Sequence, residues 1–266
     1  MRSPTAALLL LLLAAPAQAA ESNWTELAPG TRIRLIASEA WSSPGKTMIA
    51  LELDMPANTK TYWRVPGETG IPMEIDFAGS SGVSGHSVIW PYPLIERQEG
   101  YTDFVYYGPT IIPLELTVEG DRPVIEAAVL MGVCSDICVP ATAEFSLALE
   151  IGATDIGPDL RIAQAVALAP IPWEEEPEPI GEVALDSEYG VLRITIDPRV
   201  IDPASVIADA SGAGYLLGAP QKSPEPGVVI LPLLGGGDGS GLDGQPILLT
   251  FMTDQGPYEA WRHVAP

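Results

Sequence analysis

Two cysteines, Cys134 and Cys138, are the only ones in 266 residues. They stand four apart in Met131-Gly132-Val133-Cys134-Ser135-Asp136-Ile137-Cys138-Val139-Pro140. Two thiols at that spacing can close a disulfide, exchange it with another protein's thiol, or supply half of a tetrahedral metal site. Residues four apart in a straight strand are separated by roughly 13 Å. A disulfide needs Cα atoms within about 7 Å. A bonded pair therefore requires a turn between the cysteines, which puts the motif at the bend of a β-hairpin. Pro140, lacking an N–H, is expected to end the ladder just beyond it, at an edge or in a loop.

Closing so short a loop contributes only about 2 kcal/mol in the chain-entropy view. A chain of this length buries a core without that help. The pair is thus a weak staple and a suitable exchange site, with the structural and metal-binding readings still open. The two histidines, His86 and His263, lie far from it in sequence. No Lys, Arg or His falls between Met131 and Glu144, while Asp136 sits between the cysteines. A carboxylate there disfavours thiolate, so raised thiol pKa values are expected. Such a pair suits a carrier attacked by another protein's thiolate better than a strong oxidase. Asp136 is the candidate proton acceptor.

The elements that must hold this motif read as β almost throughout. Ile49, Leu51, Leu53 and Met55 alternate with polar or small residues, as do Ile112 to Val118 and Phe145 to Ile151. Period-2 alternation marks strands with one face on a core. Turn signals such as Ser43-Pro44-Gly45 and Glu119-Gly120-Asp121 recur between them, which suggests a β-sandwich. Asp159 to Ala169 reads as a short helix, stopped by Pro170 and Pro172. Trp173 to Pro179, rich in Glu and Pro, reads as an extended linker. Further alternation at Leu192 to Ile196 and Ile247 to Phe251 points to a second, smaller β domain. The expected organisation is 1–19 signal peptide, 20–152 first domain with the Cys pair, 153–179 helix and linker, and 180–266 second domain.

Residues 1–19 carry Arg2, an apolar run from Ala6 to Ala15, and the small-x-small site Ala17-Gln18-Ala19. That is the pattern of a secretory signal cleaved after Ala19, so a periplasmic location is expected. An oxidising compartment favours the disulfide form of a close pair. A formal net charge of −22 repels nucleic acid and anionic lipid, and no later stretch is apolar enough for membrane insertion of the mature chain. No nucleophile elbow, phosphate loop or dinucleotide fingerprint occurs, and no cofactor is implied.

Four stretches taken together resemble a known family. They are Tyr62-Trp63-Arg64-Val65-Pro66-Gly67-Glu68-Thr69-Gly70-Ile71-Pro72, Val88-Ile89-Trp90-Pro91, Tyr106-Tyr107-Gly108 leading into Ile112-Pro113-Leu114, and Cys134 to Pro140. In order and spacing they are similar to the N-terminal periplasmic domain of the thiol:disulfide interchange protein DsbD, and more closely to its stand-alone and ScsB-like relatives. The resemblance runs from about Trp24 to Ile151. It implies an immunoglobulin-like sandwich and a redox-active Cys134–Cys138 disulfide. It implies electron transfer from a separate membrane donor to thioredoxin-like periplasmic clients. It also implies an aromatic cap over the disulfide, matched here to Tyr106 with Tyr107 beside it. Better-known members have five residues between the cysteines; this chain has three. Rival readings are a non-enzymatic interaction module with a structural disulfide, or a Cu(I)-binding metal-stress protein.

Overall fold

The structure is a computed structural model that describes residues 20–152, 156–235 and 239–266. The signal-peptide reading of residues 1–19 lies outside them. The first half runs through β1 (Thr25–Ala28), β2 (Thr31–Ser43), β3 (Lys46–Asp54), β4 (Lys60–Gly67), β5 (Glu74–Asp76), β6 (Val83–Val88), β7 (Leu94–Gln98), β8 (Tyr101–Tyr107), β9 (Thr110–Val118), β10 (Val124–Cys134) and β11 (Cys138–Ala148). One sheet has the order β1-β2-β3-β9-β6. The other has β11-β10-β4-β8-β7, with β5 paired to β10. Together they form an immunoglobulin-like β-sandwich.

The alternating residues fill the space between the sheets. Ile49, Leu51, Leu53, Ile112, Leu114 and Leu116 are essentially inaccessible, as are Trp63 and Phe104. Trp63 and Phe104 meet edge to face at 6.0 Å between ring centres, a favoured aromatic geometry. On β4, β8 and β10 this inner face is carried by Trp63, Phe104, Tyr106, Met131 and Val133. The other face of the same strands therefore carries Lys60, Tyr62, Val105, Tyr107, Gly132 and Cys134, because successive residues alternate. The cysteine face is the outer face of its sheet.

Helix α1 (Ile156–Val166) packs Ile162 against Ile36 and Ala50 of the first sheet. Beyond it come β12 (Ile171–Pro172), β13 (Ile180–Asp186), β14 (Val191–Ile196), β15 (Ile207–Asp209), β16 (Leu216–Leu217), β17 (Gln221–Lys222), β18 (Val228–Leu234), β19 (Pro246–Thr253) and β20 (Gly256–His263). These strands surround a second core with Leu192, Ile194, Leu231, Leu249 and Phe251 at its centre. The Pro- and Glu-rich stretch is anchored at its start. Just before it, Ile171 and Pro172 pair in parallel with β20, and its first residue, Trp173, packs edge-on against Tyr258 at 4.9 Å. Arg64 of β4 ties the two halves together. Its guanidinium lies 3.2 Å from Asp209 and 3.5 Å from Glu259, and donates to Thr250. Among the described residues, no helix is long and apolar enough to cross a membrane.

Candidate functional site

Strands β10 and β11 pair in register from Val124 opposite Ala148 to Cys134 opposite Cys138. Ser135, Asp136 and Ile137 make the bend, so the cysteines are the last pair of the hairpin. Their Cα atoms are 4.0 Å apart and their sulfurs are joined. Pro140 does not end the ladder as its missing N–H suggested. It lies opposite Gly132, and pairing continues to the cysteines. The reason is that β11 is an edge strand, which needs ladder donors on one side only. Cys134 is 1% exposed, whereas Cys138 is an exposed residue. Asp136 is exposed at the tip.

The bond leaves neither sulfur with a proton, so the nearby hydroxyl of Tyr62 must be the donor. It lies 2.8 Å from the Cys134 sulfur and 3.3 Å from that of Cys138. The strands explain how it gets there. Cys134 is paired with Lys60 across β10 and β4, and Tyr62 lies two residues along on the same face. Its ring occupies space that side chains on two glycines would take. A Cβ at Gly132 would fall 2.8 Å from the Tyr62 ring and 2.9 Å from Ile71. One at Gly70 would fall 2.6 Å from the same ring. Gly132→Ala is accordingly expected to lower stability by about 1–3 kcal/mol through overpacking. The check is the urea midpoint of the full chain, and an unchanged midpoint would mean the ring has room to move.

A charged cluster backs the tyrosine. The Lys60 ammonium pairs with Glu96 and stands 3.3 Å from Asp103. Tyr107 donates to Glu96 at 2.7 Å. Asp103 is wholly buried and accepts from the Thr69 backbone at 3.0 Å and the Thr69 hydroxyl at 2.6 Å. Those bonds hang the Glu68–Gly70 loop on β8, at the register break between Tyr62 and Gly67. Burial disfavours the Lys60 charge, but the hydrogen bond and charge of Glu96, aided by Asp103, outweigh it and raise its pKa. Burial acts against Glu96 ionising as well. Its hydrogen bonds from Lys60 and Tyr107 prevail and lower its pKa. Desolvation, with the hydrogen bond to Glu96, pushes Tyr107 up to about 12. Tyr62 is raised mainly by burial, against the pull of Lys60, so it is a neutral phenol near pH 7.

A family model described as thiol:disulfide interchange protein DsbD, N-terminal, matches residues 33–150. The chain carries a DsbD N-terminal-like domain. Among solved structures, the N-terminal periplasmic domain of ScsB from Proteus mirabilis has the same fold. The TM-score is 0.71 at 22% identity, over 93% of this chain and 99% of that one. A marsupial T cell receptor is matched at a TM-score of 0.20, with 10% identity over 91% of this chain and 100% of that one, and carries no argument. No curated protein matches the chain in sequence.

Within the DsbD N-terminal-like domain, the residues picked out from sequence separate by face. Cys134, Cys138 and Tyr107 share the outer face, with Asp136 at its rim. Tyr106 does not: it lies opposite Thr61 on β4, its ring belongs to the sandwich core, and its hydroxyl donates to Pro91 at 2.6 Å. The aromatic on the sulfurs is Tyr62. Of Tyr62, Trp63, Trp90, Tyr92, Tyr106 and Tyr107, only Tyr107 is exposed. No Lys, Arg or His lies beside the pair in sequence, but Lys60 reaches its surroundings from β4. With two carboxylates for one ammonium, the cluster still carries an acidic excess. Lys60, Glu96 and Gly132 were not singled out from sequence as site residues. One signal was available: an isolated glycine in a strand, two residues before Cys134, marks a close approach.

Proposed function

We propose that the chain performs thiol–disulfide exchange through Cys134 and Cys138, carrying electrons from a separate membrane donor to thioredoxin-like clients in the periplasm. The exposure of Cys138 beside a buried Cys134 carries this reading. A staple gains most by joining segments that would otherwise be far apart. Here the bond joins two residues that an antiparallel ladder already holds opposite each other, so it adds little to the fold. It stands instead at an accessible bend with one member exposed. The domain match supports the same chemistry.

On this reading a reduced donor's thiolate attacks the sulfur of Cys138, and Cys134 leaves. The donor's second thiol then resolves the mixed disulfide, and the reduced pair passes its two electrons to a client by the reverse sequence. Residues 20–152 perform the exchange. Residues 180–266 form a second β domain, docked through Arg64. The expected result is a reduction potential above roughly −270 mV, read by thiol labelling of the mature protein in graded redox buffers. A potential below about −300 mV, together with no reaction toward thioredoxin-like proteins, would mark the bond as structural and the chain as a binding module.

A further inference from the structure

We propose that Tyr62 is a catalytic residue of this exchange, its hydroxyl donating a hydrogen bond to the Cys134 sulfur as that sulfur leaves as a thiolate. The inference rests on the exchange reading and adds a group that acts on the reacting atoms. Tyr62 is the side chain whose hydroxyl reaches both sulfurs, and the nearer, at 2.8 Å, is the buried one. Its ring is 1% exposed and is fitted between Gly132 and Gly70, each of which would strike it if it bore a Cβ. The Glu68–Gly70 loop that completes the seat is fastened to buried Asp103 through Thr69.

The direction of the effect follows from what a sulfur can accept. A disulfide sulfur is a weak acceptor, so in the oxidised protein the phenol has a poor partner. A thiolate is a charged acceptor, and hydrogen bonds to charged groups are about twice as strong. The contact therefore tightens as charge develops on Cys134. An interaction stronger in the transition state than in the ground state is one that accelerates the step. No proton has to cross. With its pKa raised by burial, the phenol is a weaker acid than a thiol and keeps its hydrogen.

The step balances without another reagent. A partner thiolate attacks the Cys138 sulfur. The bond between the two protein sulfurs breaks as the bond to the partner forms, and the electron pair goes to Cys134. The partner's second thiolate then attacks its own bound sulfur and expels Cys138 as a thiolate. The partner ends as a disulfide, and the pair as a two-electron-reduced dithiol.

The test uses the full mature chain with dithiothreitol as the reductant. Tyr62→Phe keeps the ring in its seat and removes only the hydroxyl. The reduction rate is expected to fall roughly five- to tenfold, since losing one charge-assisted bond costs about tenfold or more in equilibrium. In a Cys138→Ala background, where a single thiol titrates by thiolate absorbance, the Cys134 pKa is expected to rise by about one unit in Tyr62→Phe. A purely structural tyrosine would move neither. Should Tyr62→Phe unfold, a fluorotyrosine placed at position 62 keeps the shape and strengthens the donor, and the Cys134 pKa is then expected to fall. A wild-type protein that dithiothreitol cannot reduce at a redox-relevant potential would sink the exchange reading itself. A reactive wild type with unchanged rate and pKa in the variants would overturn only the role of Tyr62.

Discussion

Alanine at Cys134 is expected to turn the protein into a trap, and alanine at Cys138 is not. Displacement at a disulfide requires the incoming thiolate to approach one sulfur from the side opposite the other. Cys138 is exposed at the hairpin bend, while Cys134 is 1% exposed and lies beneath Tyr62. A folded partner is therefore expected to reach the first and not the second. Cys134→Ala leaves the reachable thiol with no neighbour to resolve a mixed disulfide, so covalent complexes accumulate. Cys138→Ala leaves only the buried thiol, and its capture should be at least about a hundredfold slower. The measurement is the rate of covalent complex formation between each full-length variant and a thioredoxin-like protein activated as a mixed disulfide, followed on non-reducing gels. Both variants should lose multiple-turnover exchange, because each lacks half of the two-thiol couple. Faster trapping by Cys138→Ala would mean that the hairpin opens before reaction and that burial does not choose the attacked sulfur.

How much of this could be read from the residues depends on how far each contact reaches along the chain. The hairpin was legible because it is local: four residues and the length of a disulfide demand a bend, and the bend is there. The sandwich strands were legible because alternation is local as well, as in Ile112 to Val118. The surroundings of the sulfurs were not. Tyr62 and Cys134 are 72 positions apart, and whether they share a face depends on the register of β4 against β10. A shift of one residue in a strand exchanges its faces. Tyr106 shows the consequence: the family pattern marks an aromatic there, but its strand parity turns it into the core and leaves Tyr107 on the cysteine side. The acidic, proline-rich stretch shows the same limit of local reading. Its composition suits an extended spacer, while its first residue, Trp173, packs against Tyr258, about 85 positions downstream.

Lys60→Met should be the most destabilising single change on the cysteine face. Methionine retains most of the lysine stem and removes the ammonium that faces Glu96 and Asp103. Glu96 can turn toward water, but Asp103 is wholly buried and cannot. Its remaining partners are the two Thr69 donors, which satisfy hydrogen bonds and supply no countercharge. Stranding a buried carboxylate by deleting its cation typically costs about 3–5 kcal/mol. The loss should be visible as a fall in the urea midpoint of the first transition of the full chain. Adding Asp103→Asn should restore part of it, because the uncompensated charge disappears even though the amide cannot reproduce both bonds to Thr69. A Lys60→Met loss below about 1 kcal/mol, or no recovery in the double variant, would mean that water already screens Asp103 and that the cluster is not clamped. The functional consequence follows from the same bonds. Asp103 holds Thr69, Thr69 leads into Gly70, and Gly70 walls the ring of Tyr62. Loosening the ammonium should therefore slow reduction of the disulfide even at temperatures where the variant remains folded, and the double variant should recover stability more fully than rate.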